Sequence, residues 1–321
     1  MEKLLKVKPN ATAKELAQLV RTNDADICKQ IAQHPNTSPE TLKILFKQFP
    51  VEVLTNPVRD LLLLENPNFF GELCEIYPNC FIYIRLPLFF LEWTVNNIDD
   101  ERVRCYIAES ATTPIYILQK LALDENKVVR YYVARNTKIS QKIINQLAED
   151  EDINVISNLA TNPKVSQKIL GLLFKIQHNS VRFTIASNEN TPKHILEKLA
   201  DENNVNIVRN VVQNSNTSLE TLEKLSQHRD TEIRCNVASH QNITLEIAKR
   251  LLKDSEDSVL AALAKNSQTP LSILQELAEV VTHEKYSSKI LFNIIYNPNF
   301  TSELKPKINL FDESNEEKFK L

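Results

Sequence analysis

The sequence contains very little glycine, because its 321 residues include only Gly71 and Gly171. A phosphate-cradling loop needs several closely spaced glycines, so binding of a nucleotide by such a loop is excluded. Turns that need a left-handed backbone must therefore use another residue, and Asn is the best substitute for Gly in that conformation. We expect Asn to fill such turns.

Cysteines are also few, with five in all and no Cys-x-x-Cys pair. An odd number without such a pair fits a reducing compartment better than a disulfide framework. No apolar run is long enough to cross a membrane, and the start MEKLLKVKPN lacks the apolar core of a signal peptide. We expect a cytoplasmic protein that is neither exported nor inserted in a membrane.

An excess of one charge is missing as well. Residues 1–102 hold 11 Lys and Arg against 14 Asp and Glu, and residues 103–321 hold 27 against 27. A protein that binds nucleic acid through its charge needs a basic face or module. This balance therefore argues against a nucleic-acid partner.

The main feature that is present is an internal repeat of 26 residues. Its clearest copy runs from Val181 to Asn206 and reads VRFTIASNENTPKHILEKLADENNVN. Six successive steps of 26 residues connect the first positions of the copies, which are Val103, Val129, Val155, Val181, Ile207, Ile233 and Val259. A fixed period of this length is the sequence signature of a solenoid.

Each copy predicts two short helices. In the first, Val181, Ile185 and Ala186 form an apolar face, and an Asn two residues after the Ala is expected to end the helix. The second helix also has one apolar face, formed in this copy by Ile195, Leu196, Leu199 and Ala200. One repeat buries too little apolar surface to fold alone, so stability must come from stacking on its neighbours.

Capping residues mark the start of the second helix. Three turns read Thr-Pro, which predicts a Thr N-cap followed by Pro at the first helical position, at Thr113-Pro114, Thr191-Pro192 and Thr269-Pro270. The other turns offer a hydroxyl residue that can cap at about the same place, namely Ser140, Ser166, Ser218 and Thr244.

The template resembles the leucine-rich repeat variant family, which is related to the armadillo and HEAT solenoids and follows V-R-x-x-V-A-x-N-x-x-T-P-x-x-L-L-x-x-L-A-x-D. The resemblance covers residues 103–278, and the copy that begins Val181-Arg182 follows the template as far as Leu199-Ala200 and ends on the acidic pair Asp201-Glu202. It implies an all-α fold, a right-handed superhelix in which α-helices alternate with shorter, 3₁₀-like helices. It implies no activity, because function on such a scaffold depends on its surface.

The repeat divides the chain into four parts. Residues 1–48 are interpreted as an N-terminal cap and a divergent repeat, and residues 49–102 as an irregular, aromatic-rich helical segment continuous with the solenoid. Regular repeats fill 103–284. Residues 285–321 hold a degenerate last repeat, displaced by about five extra residues, and a polar tail.

The irregular segment concentrates the aromatic side chains between residues 61 and 93. Such a run either packs as part of the core, the interpretation we favour, or presents an apolar patch to a permanent partner or a second copy of the chain. The second interpretation makes a homo-oligomer through 61–93 conceivable.

Two polar columns run along the repeats, and each has two interpretations. Arg recurs at the second position as Arg104, Arg130, Arg182 and Arg234. A row of Arg can bind phosphates, but the acidic residues that close the repeats favour Arg–carboxylate pairs that tie repeats together. The Asn column includes Asn136, Asn162, Asn188 and Asn266. Its members either end helices or cross-link turns by side-chain to backbone hydrogen bonds.

Metal and cofactor sites are not indicated. His34 and His240 lie in the Asn column, and the histidines include no pair with ligand spacing. Some members of the resembled family carry an N-terminal cysteine cluster for iron and sulphur, but Cys74 and Cys80 lack that close spacing. We expect no metal, no cofactor and no catalytic residue.

The third, fourth and seventh positions of the repeat lie outside the apolar template, so they should form stripes on the first helices. In solenoids such inner helices line an extended concave surface that binds peptides or proteins. We predict a non-enzymatic scaffold that binds a protein or peptide on this surface, through Tyr106, Tyr131, Tyr132, Asn158, Phe183, Thr184, Asn210 and Asn236. The alternative is that the tyrosines pack between repeats with only their hydroxyls outside.

Two other functions stay open. Some HEAT-like solenoids are DNA glycosylases, and a protein of that kind would need a basic face beside a carboxylate. Other HEAT-like proteins are chaperones or lyase-type helpers that bind a pigment or cofactor, and the tyrosine stripe would then surround that ligand. Charge balance argues against the first, while the sequence does not separate the second from peptide binding.

Overall fold

The computed structural model describes residues 7–283 and 288–300, and within them the chain forms 23 α-helices and no β-strand. The prediction of an all-α protein is confirmed. The helices in chain order are α1 (Ala13–Val20), α2 (Ala25–Ala32), α3 (Pro39–Phe46), α4 (Pro50–Leu54), α5 (Arg59–Glu65), α6 (Phe69–Ile76), α7 (Cys80–Tyr83), α8 (Leu88–Asn97), α9 (Glu101–Glu109), α10 (Ile115–Leu121), α11 (Lys127–Arg135), α12 (Gln141–Leu147), α13 (Ile153–Thr161), α14 (Gln167–Leu173), α15 (Asn179–Ser187), α16 (Lys193–Leu199), α17 (Val205–Gln213), α18 (Leu219–Leu225), α19 (Thr231–Ala238), α20 (Leu245–Leu251), α21 (Asp257–Lys265), α22 (Leu271–His283) and α23 (Ser288–Ile295).

The regular repeats consist of a longer first helix and a shorter second helix, as α11 with nine residues and α12 with seven illustrate. Both are α-helical, and no 3₁₀-helix occurs in the described ranges, so the shorter helices are not the 3₁₀-like ones that the resemblance implies. The apolar faces are buried as predicted, for example Val129 and Val133 of α11 and Ile144 of α12. Each large apolar side chain contributes roughly 1.5–3 kcal/mol when it is fully buried.

Neighbouring first helices pack on one another. Helix α11 contacts both α9 and α13, and α17 contacts both α15 and α19. A repeat therefore has a neighbour on each side, and its apolar residues are covered on both, which is the packing of a solenoid.

The chain divides into two compact units, Met1–Asn162 and Pro163–Leu321. The boundary lies within the predicted stretch of regular repeats, 103–284. Regular repeats occur in both units, so the division separates two groups of repeats.

The expectation that Asn supplies left-handed turns is wrong. Asn136 ends α11 with φ −67° and ψ 121°, and Asn214 ends α17 with φ −76° and ψ 123°, both extended conformations. Among the described non-glycine residues, only Asn23, outside the Asn column, has a positive φ, of 56°. The chain leaves these helices in an extended conformation, so the turns do not need glycine.

The capping predictions are confirmed for the turns without Thr-Pro. Side chains of Ser140, Ser166, Ser218 and Thr244 each accept a hydrogen bond from the backbone N–H three residues later. At the Thr-Pro turns the prediction is wrong in its detail. Pro114 occupies the N-cap position, while the Thr113 hydroxyl donates to the Ile107 carbonyl, 2.6 Å away at the end of the first helix.

Thr191 and Thr269 make the same bond to the carbonyl six residues earlier, at 2.5 Å and 2.6 Å. Thr in this turn therefore satisfies a carbonyl that the ending helix leaves unpaired. Its role belongs to the first helix and not to the second.

The aromatic segment forms much of the core of the first unit. Phe69, Phe70, Phe81 and Phe90 are buried, and the rings of Phe81 and Phe90 stack with centroids 5.5 Å apart. Such aromatic contacts add to the free energy of area burial. The interpretation that this segment packs in the core is confirmed for these residues.

Several apolar residues of the same segment nevertheless face solvent. The exposed fractions are 58% for Leu61, 79% for Leu64 and 74% for Tyr83. Association of the protein through residues 61–93 stays a prediction, and these exposed side chains are the residues that could form such a contact.

The last repeat keeps the template despite its insertion. Asn297 donates to the carbonyls of Ala264 and Asn266, 33 and 31 residues earlier, where the regular repeats have separations of 28 and 26. The five extra residues predicted around 280–288 are thus accommodated without loss of this bond. The predicted polar tail lies outside the described residues.

Candidate binding surface

Asparagines that are buried or partly buried connect most repeats to the one before them. In Asn136, Nδ2 donates to the carbonyls of Ala108 and Ser110 at 2.7 Å and 3.0 Å, while Oδ1 accepts the N–H of Lys138 at 2.8 Å. The same pattern of Nδ2 bonds recurs at Asn56, Asn162, Asn214, Asn266 and Asn297. We call these six residues the Asn ladder. The interpretation that the column cross-links turns is confirmed.

Arginines at the second position form the expected pairs with carboxylates. The Nε and Nη2 atoms of Arg130 donate to the two carboxylate oxygens of Asp150, at 2.6 Å and 3.0 Å. Nη1 donates to the carbonyl of Asp124, at 2.8 Å, in the turn before α11.

The other three arginines of the column are also paired with carboxylates. Arg104 makes two bonds to Asp124 and Arg234 two bonds to Asp254, while Arg182 reaches Glu202 through Nη1 alone. These groups fix the start of one repeat to its own end and to the preceding turn. The pairing with carboxylates is confirmed, but in each of these four pairs the carboxylate lies 20 residues later in the same repeat, so the pairs do not tie adjacent repeats together. The contact with the preceding repeat goes instead to a backbone carbonyl, as from Arg130 to Asp124.

Three of the predicted binding residues lie on the first helices α9 and α11. Tyr106, Tyr131 and Tyr132, which we call the tyrosine patch, are all half-buried. The rings of Tyr131 and Tyr132 meet edge to face, with centroids 5.5 Å apart and planes at 88°. Helical spacing alone does not fix this contact, since adjacent residues diverge on a helix.

Charged side chains border the tyrosine patch. Arg135 and Glu109 form an ion pair of 3.8 Å between α11 and α9. Burial, followed by the nearby carboxylate of Glu109, raises the pKa of Tyr132. The phenol of Tyr132 is therefore neutral at physiological pH and can both donate and accept a hydrogen bond.

Three other predicted binding residues have internal bonds. Asn158 Nδ2 donates to the Tyr131 carbonyl at 3.0 Å, and Asn210 Nδ2 donates to the Phe183 carbonyl at 3.0 Å. Thr184 donates to the Val181 carbonyl of its own helix at 2.9 Å. The amides of Asn158 and Asn210 therefore hold adjacent first helices together. The side chain of Phe183, another predicted binding residue, is 43% exposed.

Asn236, at the equivalent position of the next repeat, lacks this bond. Its Nδ2 is buried and has no hydrogen-bond partner. It lines a cleft of about 550 Å³ in the second unit together with Asn210, Gln213, Ser239 and His240. We call this cavity the polar cleft.

The polar cleft was not predicted, although the sequence carries two signals of it. The seventh repeat position, which the template leaves free of apolar residues, supplies Ser187, Gln213 and Ser239. His240 replaces Asn in the ladder column at the same place.

His240 should make the stability of the second unit depend on pH. Burial lowers the pKa of His240, and the nearby carbonyl of Asn214 opposes the shift without reaching hydrogen-bond geometry with Nε2. The unfolded chain therefore binds a proton below about pH 6.5 more readily than the folded chain does. Stability should decrease as the pH falls through that value.

Thermal unfolding followed by circular dichroism at several pH values checks this prediction. The melting temperature of His240→Asn should fall less steeply with acidification than that of the wild type, while the exposed-site variant His194→Asn should follow the wild type. Glu189, the charged residue of the polar cleft, is present in all three proteins. Equal slopes for wild type and His240→Asn would contradict the prediction.

The cysteines are largely inaccessible as nucleophiles. Burial raises the pKa of Cys74 to about 12 and that of Cys105 to about 11. A thiol with such a pKa is protonated at neutral pH and therefore unreactive. In residues 7–283 and 288–300 no three His, Cys, Asp or Glu side chains are grouped so as to hold a metal ion.

Within the described residues, every helix is too short or too polar to cross a membrane.

Paired helices joined at a 26-residue step by asparagine side chains define an α-helical repeat protein. Comparisons with protein-family models and with curated proteins give no match. The chain is similar to a solved structure described as "a leucine-rich repeat variant with a novel repetitive protein structural motif", at 23% sequence identity over 72% of this chain and 88% of that chain, with a TM-score of 0.46.

Proposed function

We propose that the protein is a non-enzymatic scaffold that binds another protein or a peptide on the solvent-facing side of its first helices, the surface predicted from the sequence. The edge-to-face pair of Tyr131 and Tyr132 carries the proposal. Two half-buried aromatic rings offer a large contact area whose position is already fixed. Binding then costs little side-chain entropy, and such residues dominate interface energetics.

The border of the tyrosine patch supports the same function. Protein interfaces combine an aromatic centre with a polar rim that excludes water. The ion pair of Arg135 with Glu109 supplies such a rim, since Arg135 is 61% exposed in its side chain. We therefore place the anchor of the partner at Tyr106, Tyr131 and Tyr132.

The competing nucleic-acid function lacks comparable support. Arg104, Arg130, Arg182 and Arg234 are each paired with a carboxylate of the protein. If these arginines bound phosphates, their pairs with the carboxylates would have to break. Each carboxylate would then lose its partner while it stays partly buried, which is unfavourable.

Affinity purification from nuclease-treated extract tests the proposal. The triple variant Tyr106→Ala, Tyr131→Ala, Tyr132→Ala should lose the protein partner that the wild type retains, with affinity reduced about tenfold or more. The double variant Tyr116→Ala, Leu123→Ala is a matched control, because both side chains are exposed on or after a second helix.

A second variant separates binding from folding. Arg135→Glu changes an exposed charge at the rim and leaves all three rings in place. It should therefore weaken binding of the partner without changing the melting temperature of the protein. Recovery of nucleic acid alone, or a partner that both tyrosine and rim variants retain, would refute the proposal.

A further inference from the structure

The junction between α17 and α19 lacks hydrogen bonds that neighbouring junctions have. At the preceding junction, Asn210 and Asn214 bond to carbonyls of the repeat before them, at 2.9–3.0 Å. At this junction their counterparts are Asn236 and His240. Asn236 Nδ2 has no partner, and His240 Nε2 lies near the Asn214 carbonyl without forming a hydrogen bond to it. The missing bonds coincide with the polar cleft, which both residues line.

Both unpaired groups are hydrogen-bond donors. The backbone N–H of Asn242 donates to His240 Nδ1 at 3.0 Å, so Nδ1 is unprotonated and the proton of the neutral ring lies on Nε2. The side chain of His240 is 94% buried, since its exposed fraction is 6%. A buried donor without an acceptor is costly, and a bound acceptor would remove that cost.

The lining of the polar cleft restricts what that acceptor can be. Its polar groups are amides, hydroxyls and the neutral imidazole of His240, and Glu189 is the only charged residue among those that line it. An anionic ligand would meet a carboxylate and no cation. A neutral or basic ligand that carries carbonyl oxygens fits both the donors and the charge.

The lining residues come from three consecutive repeats, at equivalent positions such as Ser187, Gln213 and Ser239. Donors and acceptors therefore recur along the cleft. An extended peptide main chain has carbonyls that recur in the same way, and its length can follow successive repeats.

We propose that the polar cleft binds the main chain of an extended peptide segment, neutral or basic in net charge, with Asn236 and His240 as donors to its carbonyls. The inference rests on the proposed function as a peptide-binding scaffold and assigns it a second site, separate from the tyrosine patch. Gln213 and Gln241, exposed at the cleft, supply further amides.

Selection of a random dodecapeptide library on the immobilised full-length protein tests the inference. Enriched peptides are then synthesised with acetylated and amidated ends, and their affinities are measured by fluorescence polarisation. We expect sequences of zero or positive net charge. Their binding should weaken about tenfold or more in Ser239→Trp, because the indole covers the cleft from an exposed position.

Two controls separate this site from the tyrosine patch. Thr161→Trp places the same ring at the exposed seventh position of another repeat and should not change the affinity. The double variant Tyr131→Ala, Tyr132→Ala should also bind the selected peptides with the affinity of the wild type. Peptides lost only in the tyrosine variant would overturn the cleft proposal and leave the proposed function standing.

A second variant examines the unpaired donors directly. His240→Asn restores the residue of the Asn ladder, whose amide should bond to the carbonyls of Val212 and Asn214 as in other repeats. The melting temperature should rise and the affinity for the selected peptides should fall. Failure of both changes, selection of acidic peptides, or no enrichment at all would overturn the inference.

Discussion

Replacing Asn136 by Ala should lower the free energy of unfolding of the first unit by about 2–4 kcal/mol. The substitution leaves the carbonyls of Ala108 and Ser110 without their bonds from Nδ2 and the N–H of Lys138 without its acceptor. Each unsatisfied buried polar group costs about 1–3 kcal/mol, and partial hydration reduces the sum. The melting temperature should fall by several degrees, since about 1 kcal/mol corresponds to roughly 2–4 °C at this size.

Tryptophan fluorescence measures this effect in the first unit. Trp93 is the only tryptophan, and its ring lies 5.2 Å from that of Phe70 in the aromatic core. The neighbouring variant Thr137→Ala is a control, because Thr137 is exposed. Equal melting temperatures for Asn136→Ala and Thr137→Ala would show that the ladder bonds do not stabilise the fold.

The isosteric variant Asn136→Asp separates hydrogen bonding from shape. An ionised carboxylate beside two carbonyls is disfavoured, so its pKa in the folded state should lie above the unfolded value of about 3.9. The folded state then binds more protons, and stability decreases as the pH rises through that region. Asn136→Asp should be as unstable as Asn136→Ala at neutral pH and should recover part of the loss in mild acid.

Replacing Arg130 by Ala should also cost about 2–4 kcal/mol, because it leaves the carboxylate of Asp150 buried without its partner. The side chain of Asp150 is 5% exposed and that of Arg130 18%. The substitution further removes the bond from Nη1 to the Asp124 carbonyl, which joins α11 to the turn before it. Urea unfolding of the variant measures the loss.

A double-mutant cycle isolates the pair. Arg130→Ala with Asp150→Ala should be less destabilising than the sum of the two single variants, since no unpaired charge stays buried. Arg102→Ala is the exposed control: Arg102 pairs with Asp100 but is 73% exposed, so the loss should be about 1 kcal/mol or less. Equal costs at Arg130 and Arg102 would contradict a structural role for the buried pair.

The tyrosine patch was predictable in its place but not in its geometry. The repeat template places Tyr131 and Tyr132 outside the apolar positions, and this suffices to put them on the outward face of a first helix. Their edge-to-face contact depends on rotamers that neighbouring helices restrict. Asn158 and Asn210 show the limit of the same reasoning, since their amides bond to the preceding helix.

The sequence by itself determined the period, the helices and the faces that are buried, because apolar periodicity is a local pattern that repeats without knowledge of the neighbours. Only the tertiary structure decided which polar side chains find partners 26–28 residues away. That choice depends on the distance between stacked repeats, to which a hydrogen bond is sensitive within a few tenths of an ångström. The spacing satisfies Asn136 and Asn214, and Asn236 Nδ2 and His240 Nε2 have no hydrogen bond at the polar cleft.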